Sequence, residues 1–387
     1  MRVDRLKHVV GIGVDTTALL ADAARADVLR LENLDTDLRP SEAALEAARQ
    51  AVDSDDANSY LPFFGADDLR QAVAEHVSAT SGVQYDWRNE CIITAGGCNG
   101  FLNTVLALLN PGDEIIMTDP IYVGLINRVH LAGGVPVFVP LIPENGRWRL
   151  DLDLLRRAVT PRTRALLMMS PSMPSGAVLN RQEWEAIAEV CRTANAWLIY
   201  NASMERILFN GAAPLHPASL EGMASRTITV GTISKEQRMI GWRVGWVIGP
   251  AEVMRDISLV TISNVVCQVG IAQRAAAAAL RDGNDSLRSA VAEWQARRDC
   301  VRRELKSLPL MPCGGGWSVL LDVGQLGWTS EEASRLLLSR GGVAATPMKN
   351  WGTDRSDRYV RLVFSNEPVA RLQGLRERVE RALIHRA

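Results

Sequence analysis

Little in this sequence is in excess. Its 387 residues carry 43 Lys and Arg against 44 Asp and Glu, so no electrostatic footprint favours nucleic acid or an anionic membrane. Cysteine is sparse: Cys91, Cys98, Cys191, Cys267, Cys300 and Cys313 are scattered without metal-ligand spacing. Most of them read as small buried hydrophobes in a reducing compartment. The five histidines do not cluster either. No basic region followed by a long apolar run opens the chain, which argues against a secretory signal. Residues 257 to 280 are apolar enough to raise a membrane question, but Asn264, Gln268, Gln273 and Arg274 interrupt them. The Ala275–Ala279 run suits a packed helix better than lipid. These absences point to a cytoplasmic protein with neither nucleic acid nor membrane as partner.

What is present is ordinary for a soluble enzyme: 47% hydrophobic and 22% charged residues, on a chain long enough for a large core and two domains. From about residue 90 strand and helix signals alternate. Cys91-Ile92-Ile93-Thr94 is a short apolar run that ends at Gly96-Gly97, and a helix-like stretch from Phe101 to Leu109 follows. Pro111-Gly112-Asp113 marks a turn before Glu114-Ile115-Ile116-Met117. The rhythm recurs at Ala165–Met169, Trp197–Tyr200 and Thr227–Val230. Such alternation predicts an α/β fold with a mainly parallel sheet between helices. After about residue 285 an arginine-rich helix (Val291 to Leu305), Gly314-Gly315-Gly316 and a strand through Trp317–Asp322 predict a smaller α+β domain.

One run carries most of the chemistry: Ser234-Lys235-Glu236-Gln237-Arg238-Met239-Ile240-Gly241-Trp242-Arg243-Val244-Gly245-Trp246. With its lysine, its arginine eight residues on and its flanking glycines, it resembles class I/II aminotransferases, fold-type I enzymes that depend on pyridoxal 5′-phosphate (PLP). The likeness extends from Tyr60-Leu61-Pro62-Phe63-Phe64-Gly65 to Tyr359-Val360-Arg361-Leu362. It implies a large PLP-binding domain over residues 45–285, with residues 1–44 and 286–387 forming the small domain. No room is then left ahead of the fold for a separate DNA-binding domain.

The resemblance also implies roles. Lys235 would hold PLP as a Schiff base and move the substrate proton, and burial beside a cation such as Arg243 would favour its neutral amine. Arg243 would bind the phosphate through parallel charge-assisted bonds. Gly96 and Gly97, where a strand turns into a helix, would bring backbone N–H groups to the same phosphate. Thr232 matches a further phosphate-contacting hydroxyl. Tyr60 matches the tyrosine that crosses a dimer interface to the partner's phosphate, which implies a homodimer with shared active sites. Tyr122, in Asp119-Pro120-Ile121-Tyr122, matches the aromatic residue stacked on the pyridine. Arg361 matches the clamp for the α-carboxylate of an amino-acid substrate; a core tyrosine and a structural salt bridge are the plainer readings of these two. Trp317 is placed either in the substrate pocket or in the core.

Other positions depart from the family. Its Asn-Pro-x-Asn-Pro-[Ser/Thr]-Gly segment here reads Ser170-Pro171-Ser172-Met173-Pro174-Ser175-Gly176, so Met173 stands where an asparagine would donate to the cofactor's phenolic oxygen. Its Asp-Glu-x-Tyr segment reads Asn201-Ala202-Ser203-Met204. Asn201 thus replaces the aspartate facing the ring nitrogen, and Met204 the tyrosine that is the other phenolic donor. Leu34 replaces a glycine of the N-terminal substrate loop. A charge-assisted bond lost at the ring nitrogen is worth roughly 1.5–3 kcal/mol, or about one to two pKa units. The cofactor becomes a weaker electron sink, which hinders transamination.

Three readings follow: a PLP enzyme diverted to β-elimination, decarboxylation or oxidative deamination; an ordinary aminotransferase; and a non-catalytic PLP- or metabolite-binding protein. Retention of Lys235, Arg243 and Tyr60 counts against the third. With its replaced contacts the chain also resembles the PLP enzymes that remodel sulfur-linked intermediates in lincosamide antibiotic pathways. That likeness implies a cysteine S-conjugate as substrate.

Overall fold

The structure, a computed structural model, describes residue 3, residues 6–24 and residues 27–384. Among these residues twelve strands form two sheets: β1 (Leu29–Leu31), β2 (Cys91–Thr94), β3 (Glu114–Asp119), β4 (Val135–Glu144), β5 (Arg147–Leu150), β6 (Thr163–Met169), β7 (Trp197–Asn201), β8 (Thr227–Thr232), β9 (Gly245–Ile248), β10 (Ser318–Asp322), β11 (Val343–Pro347) and β12 (Tyr359–Val363). The larger sheet runs β2-β9-β8-β7-β6-β3-β4-β5. Its five central strands, from β8 to β4, are parallel, and both flanks are antiparallel. Runs such as Ala165-Leu166-Leu167-Met168-Met169 are buried throughout. That is the pattern of a parallel strand covered on both faces.

Three differences from the sequence reading have physical causes. β4 carries Pro136, Pro140 and Pro143, which hid a strand that lies towards the sheet's edge. β9 begins at Gly245 inside the lysine–arginine run and returns antiparallel between β8 and β2. The arginine-rich helix begins at Asp285 rather than Val291, with an acidic residue in its first turn that suits the positive end of the helix.

Because β2, β3, β6, β7 and β8 point the same way, the segments leaving their carboxyl ends gather along one edge, where open α/β sheets bind ligands. Those segments contain Gly96, Tyr122, Met173, Ser203 and Lys235.

The smaller sheet runs β1-β11-β12-β10. β1 pairs parallel with β11, Leu29 opposite Val343, so the N-terminal segment completes a sheet built from the C-terminal part. Arg361 lies opposite Leu320 on β10 and Thr346 on β11. The segment after β1 is tied to the helix Asp285–Glu304: Trp294 Nε1 donates to Thr36 Oγ1 at 3.1 Å, and Arg297 Nη1 to Asp37 Oδ1 at 2.7 Å. The Ala275–Ala279 run lies in the helix Gly270–Arg281, where most of its alanines are buried against the helices Glu42–Val52 and Asp67–Ser81. Among the described residues no helix is long and apolar enough to cross a membrane.

Trp294 is fully buried and holds the loop that carries Leu34. Trp294→Ala should lower unfolding stability by about 3–5 kcal/mol, read as a reduced denaturant midpoint. An unchanged midpoint would show that the loop is not fastened through this side chain.

Candidate active site

Lys235 stands just beyond the end of β8. Thr232, the last residue of that strand, fixes the turn: its Oγ1 donates to Val244 O at 2.8 Å and accepts from Ser234 N at 3.1 Å. The turn aims Lys235 at the loop after β1, where Nζ donates to Leu34 O at 3.0 Å. Nζ also lies 4.9 Å from the centre of the Trp317 ring. No carboxylate pairs with it among the described residues, and burial pushes its ammonium down to about 8 from the usual 10.5.

Arg243 takes a left-handed backbone, φ 55°, and its Nη1 donates to Ile240 O at 2.7 Å. Its guanidinium is pressed against the chain leaving β2: a Cβ on Gly96 would meet Arg243 Nη2 at 2.5 Å. A Cβ on Gly245 would meet Gly96 C at 2.5 Å and Gly97 N at 2.6 Å. The glycines therefore admit an approach that any side chain would block. Gly97 opens the helix Gly97–Leu108, so backbone donors and the positive helix end face the same place as Arg243.

These groups share a cavity of about 300 Å³. Of the residues singled out in the sequence, Leu34, Gly97, Tyr122, Met173, Asn201, Met204, Thr232, Lys235, Arg243 and Arg361 line it. Gly96 lies just behind, against Arg243. Trp317 is 1% exposed, packed 5.0 Å from the Trp294 ring, and lies beneath Lys235 rather than on the cavity wall. Tyr60 is 81% exposed and does not reach this chain's own cavity.

Arg361 is 1% exposed and forms no salt bridge among the described residues. Its Nη2 donates to Glu32 O at 2.5 Å and Thr346 Oγ1 at 3.1 Å, its Nη1 faces Met173 Sδ at 3.6 Å, and its Nε has no partner. The guanidinium sits 4.9 Å from the centre of the Trp351 ring, and burial pushes it down to about 10. The salt-bridge reading of Arg361 therefore has no carboxylate to support it. Tyr122 caps the helix Val123–Leu131 with its ring 5.5 Å from that of Trp351. A Cβ on Gly124 would meet the Tyr122 ring at 2.5 Å, so the tyrosine ring packs against its own helix start.

Asn201 ends β7. Its Oδ1 accepts from Ser203 N at 3.1 Å and Ser203 Oγ at 2.5 Å. Met173 and Met204 are buried beside it on the wall and offer only thioether sulfur.

Sequence reasoning missed several wall residues. Ser203 and Ser234 sat inside the quoted motifs, and Cys98 directly follows the glycine pair; position alone could have found them. Ile12 and Asp15 come from a stretch with no motif. That stretch is drawn to the cavity by contacts remote in sequence, Val10 N to Asn127 Oδ1 at 3.1 Å and Trp351 Nε1 to Ile12 O at 3.3 Å.

The sequence model described as "Aminotransferase class I and II" matches residues 27–379. The chain belongs to this family. It is 32% identical over 93% of its length to an aspartate aminotransferase of Pyrococcus abyssi, of which it covers 93%. It is 37% identical over 79% of its length to a probable N-succinyldiaminopimelate aminotransferase of Mycobacterium tuberculosis, of which it covers 77%. The solved structure of an N-succinyldiaminopimelate aminotransferase from that organism superposes with a TM-score of 0.91 and 32% identity, over 98% of this chain and 99% of the other. The chain is thus an enzyme of the aminotransferase fold, dependent on PLP, and not a non-catalytic binding protein. The cavity fits that cofactor: an amine and a guanidinium with no carboxylate partner among the described residues, and a glycine cradle that a Cβ would fill.

An amine titrating near 8 is about one-tenth neutral at pH 7 and about nine-tenths at pH 9. Capture of added PLP by cofactor-free enzyme, followed by its visible band, should therefore quicken about tenfold over that interval. An unperturbed lysine would gain about a hundredfold, and such a gain would refute the burial effect.

Proposed function

We propose that Lys235 carries PLP, that Arg243, Gly96, Gly97 and Thr232 hold its phosphate, and that Tyr122 lies against its ring. Asn201 would meet the ring nitrogen, while Met173 and Met204 leave the phenolic oxygen without a side-chain donor. Bound there, PLP supplies an aldehyde and an electron-accepting ring. The observation that carries the substrate reading is Arg361, buried on the cavity wall with two carbonyl or hydroxyl partners, a thioether and no carboxylate. A guanidinium so placed suits the α-carboxylate of an amino acid. Lys235, once released from the cofactor, is the group on the wall able to take the α-proton.

The proposed activity is diverted from transamination towards loss of a β-substituent. In a cysteine S-conjugate the Cα–H and Cβ–S bonds would break, and with one water the products are a thiol, pyruvate and ammonia. The lining by Met169, Met173 and Met204 supports this class, since polarizable thioethers accommodate irregular sulfur-bearing side chains. Decarboxylation conflicts with a clamp that holds the carboxylate; elimination does not. Residues 45–285 and residues 1–44 with 286–387 are the proposed domains, in a cytoplasmic homodimer. Exposed Tyr60 and Phe63 support the dimer, as does exposed Val269, whose neighbour Gly270 abuts Ala57 O. An ordinary amino-acid aminotransferase is the second reading, favoured by the relatives' names.

The deciding experiment is an absorption spectrum before and after amino acids and cysteine S-conjugates are added. The expected result is a visible band, lost on borohydride treatment and absent from Lys235→Ala, that persists while thiol and pyruvate accumulate. Conversion to the pyridoxamine form with release of a keto acid would instead establish the aminotransferase. Arg361→Ala should lower kcat/KM by about 10- to 100-fold, the value of one charge-assisted interaction. It should leave the band itself in place, and loss of the band would move Arg361 from substrate to cofactor.

A further inference from the structure

Asn201 is 6% exposed, yet it lines the cavity. A primary amide has two ends, and here one is spoken for. Oδ1 accepts both the backbone N–H of Ser203 at 3.1 Å and the Ser203 hydroxyl at 2.5 Å. The backbone N–H is a donor in every rotamer and at every pH, so turning the amide over would set N–H against N–H. The other end, Nδ2, has no hydrogen-bond partner among the described residues and is not sealed in the interior, so it borders the open cavity.

An aspartate at this position would keep one oxygen on Ser203 and offer the second to the cavity as an acceptor. The amide reverses that sign and offers a donor. A donor meets an unprotonated pyridine nitrogen favourably and a pyridinium N–H unfavourably. Asn201 is thus more than a weakened aspartate.

We propose that Ser203 is a positioning residue that locks the Asn201 amide with Nδ2 towards the cavity, so that the cofactor's ring nitrogen is held as a hydrogen-bond acceptor without a proton. This rests on PLP occupying the cavity at Lys235. The ring then withdraws electrons less than a protonated ring does, and a proton has to be expelled from the ring nitrogen, not merely left unstabilised. A β-leaving group removes the electron pair from the substrate itself, so its chemistry depends less on that ring than transamination does.

The test is solid-state 15N NMR of the full enzyme loaded with ring-15N PLP, titrated from pH 4 to 9. The wild type should show an unprotonated pyridine nitrogen from pH 6 upwards, with its midpoint below that. Asn201→Asp, which keeps the Ser203 contacts and exchanges only the end facing the cavity, should show a pyridinium at pH 7. Ser203→Ala removes one of the two donors that hold Oδ1 and should raise the ring-nitrogen midpoint by about half to one pH unit. Ser203→Thr should restore it, whereas a merely structural Ser203 would leave the midpoint unmoved. A wild-type nitrogen protonated at pH 7 would overturn the inference while leaving cofactor placement intact. Failure of the wild type to retain labelled PLP would overturn the placement, and this inference with it.

Discussion

Three positive groups face one cavity, and none has a carboxylate opposite it among the described residues: the Lys235 amine, the Arg243 guanidinium and the Arg361 guanidinium. Arg243 is exposed, whereas Arg361 is buried, and a cation removed from water without a counter-ion costs folding free energy unless other polar partners compensate. Arg361 has Glu32 O, Thr346 Oγ1 and the Trp351 face, and still leaves Nε unpartnered. Asp15 also lines the cavity, but it is exposed at its rim and forms no ion pair among the described residues. Buried Arg361 is the costly member, and a carboxylate ligand would offset that cost. The fold serves that constraint. Lys235 and Arg243 flank the large sheet's strand ends while Arg361 comes from the small sheet, so the cavity exists only where the two sheets meet.

This division also explains what could be read from the sequence. The run from Ser234 to Trp246 was legible because its chemistry is compressed into one turn, where spacing alone places a lysine, an arginine and two glycines together. The parallel strands other than β4 were legible because burial on both faces makes them continuously apolar. Leu34 was placed near the substrate through the family pattern, but not its carbonyl bond to Lys235, which joins residues 201 apart. Trp317 could not be assigned between pocket and core from its neighbours in sequence, since what decides it is the position of Lys235 above its ring. Cys98 differs from the other cysteines in following the glycine pair, and the fold sets it on the wall.

The positions that depart from the family form a pattern of their own. On the proposed placement of the cofactor, the residues for phosphate anchoring and covalent attachment, Lys235, Arg243, Thr232 and the glycine pair, match the family pattern, while the changes at Met173, Asn201 and Met204 fall around the ring. Groups so placed would supply charge-assisted bonds worth roughly 1.5–3 kcal/mol each, so a cofactor could stay bound when single peripheral donors are lost. The peripheral groups would then do less for affinity and more for where the ring's protons reside.

Met173 illustrates how the two sides are coupled. As a thioether it cannot donate to the phenolic oxygen, yet it lies 3.6 Å from Arg361 Nη1 as a weak acceptor. Arg361 therefore gives little up when a carboxylate displaces that contact. On the proposed reading, the replacement that removes a donor from the ring also leaves the clamp free for substrate, so affinity for an amino acid and a weakened electron sink would arise together.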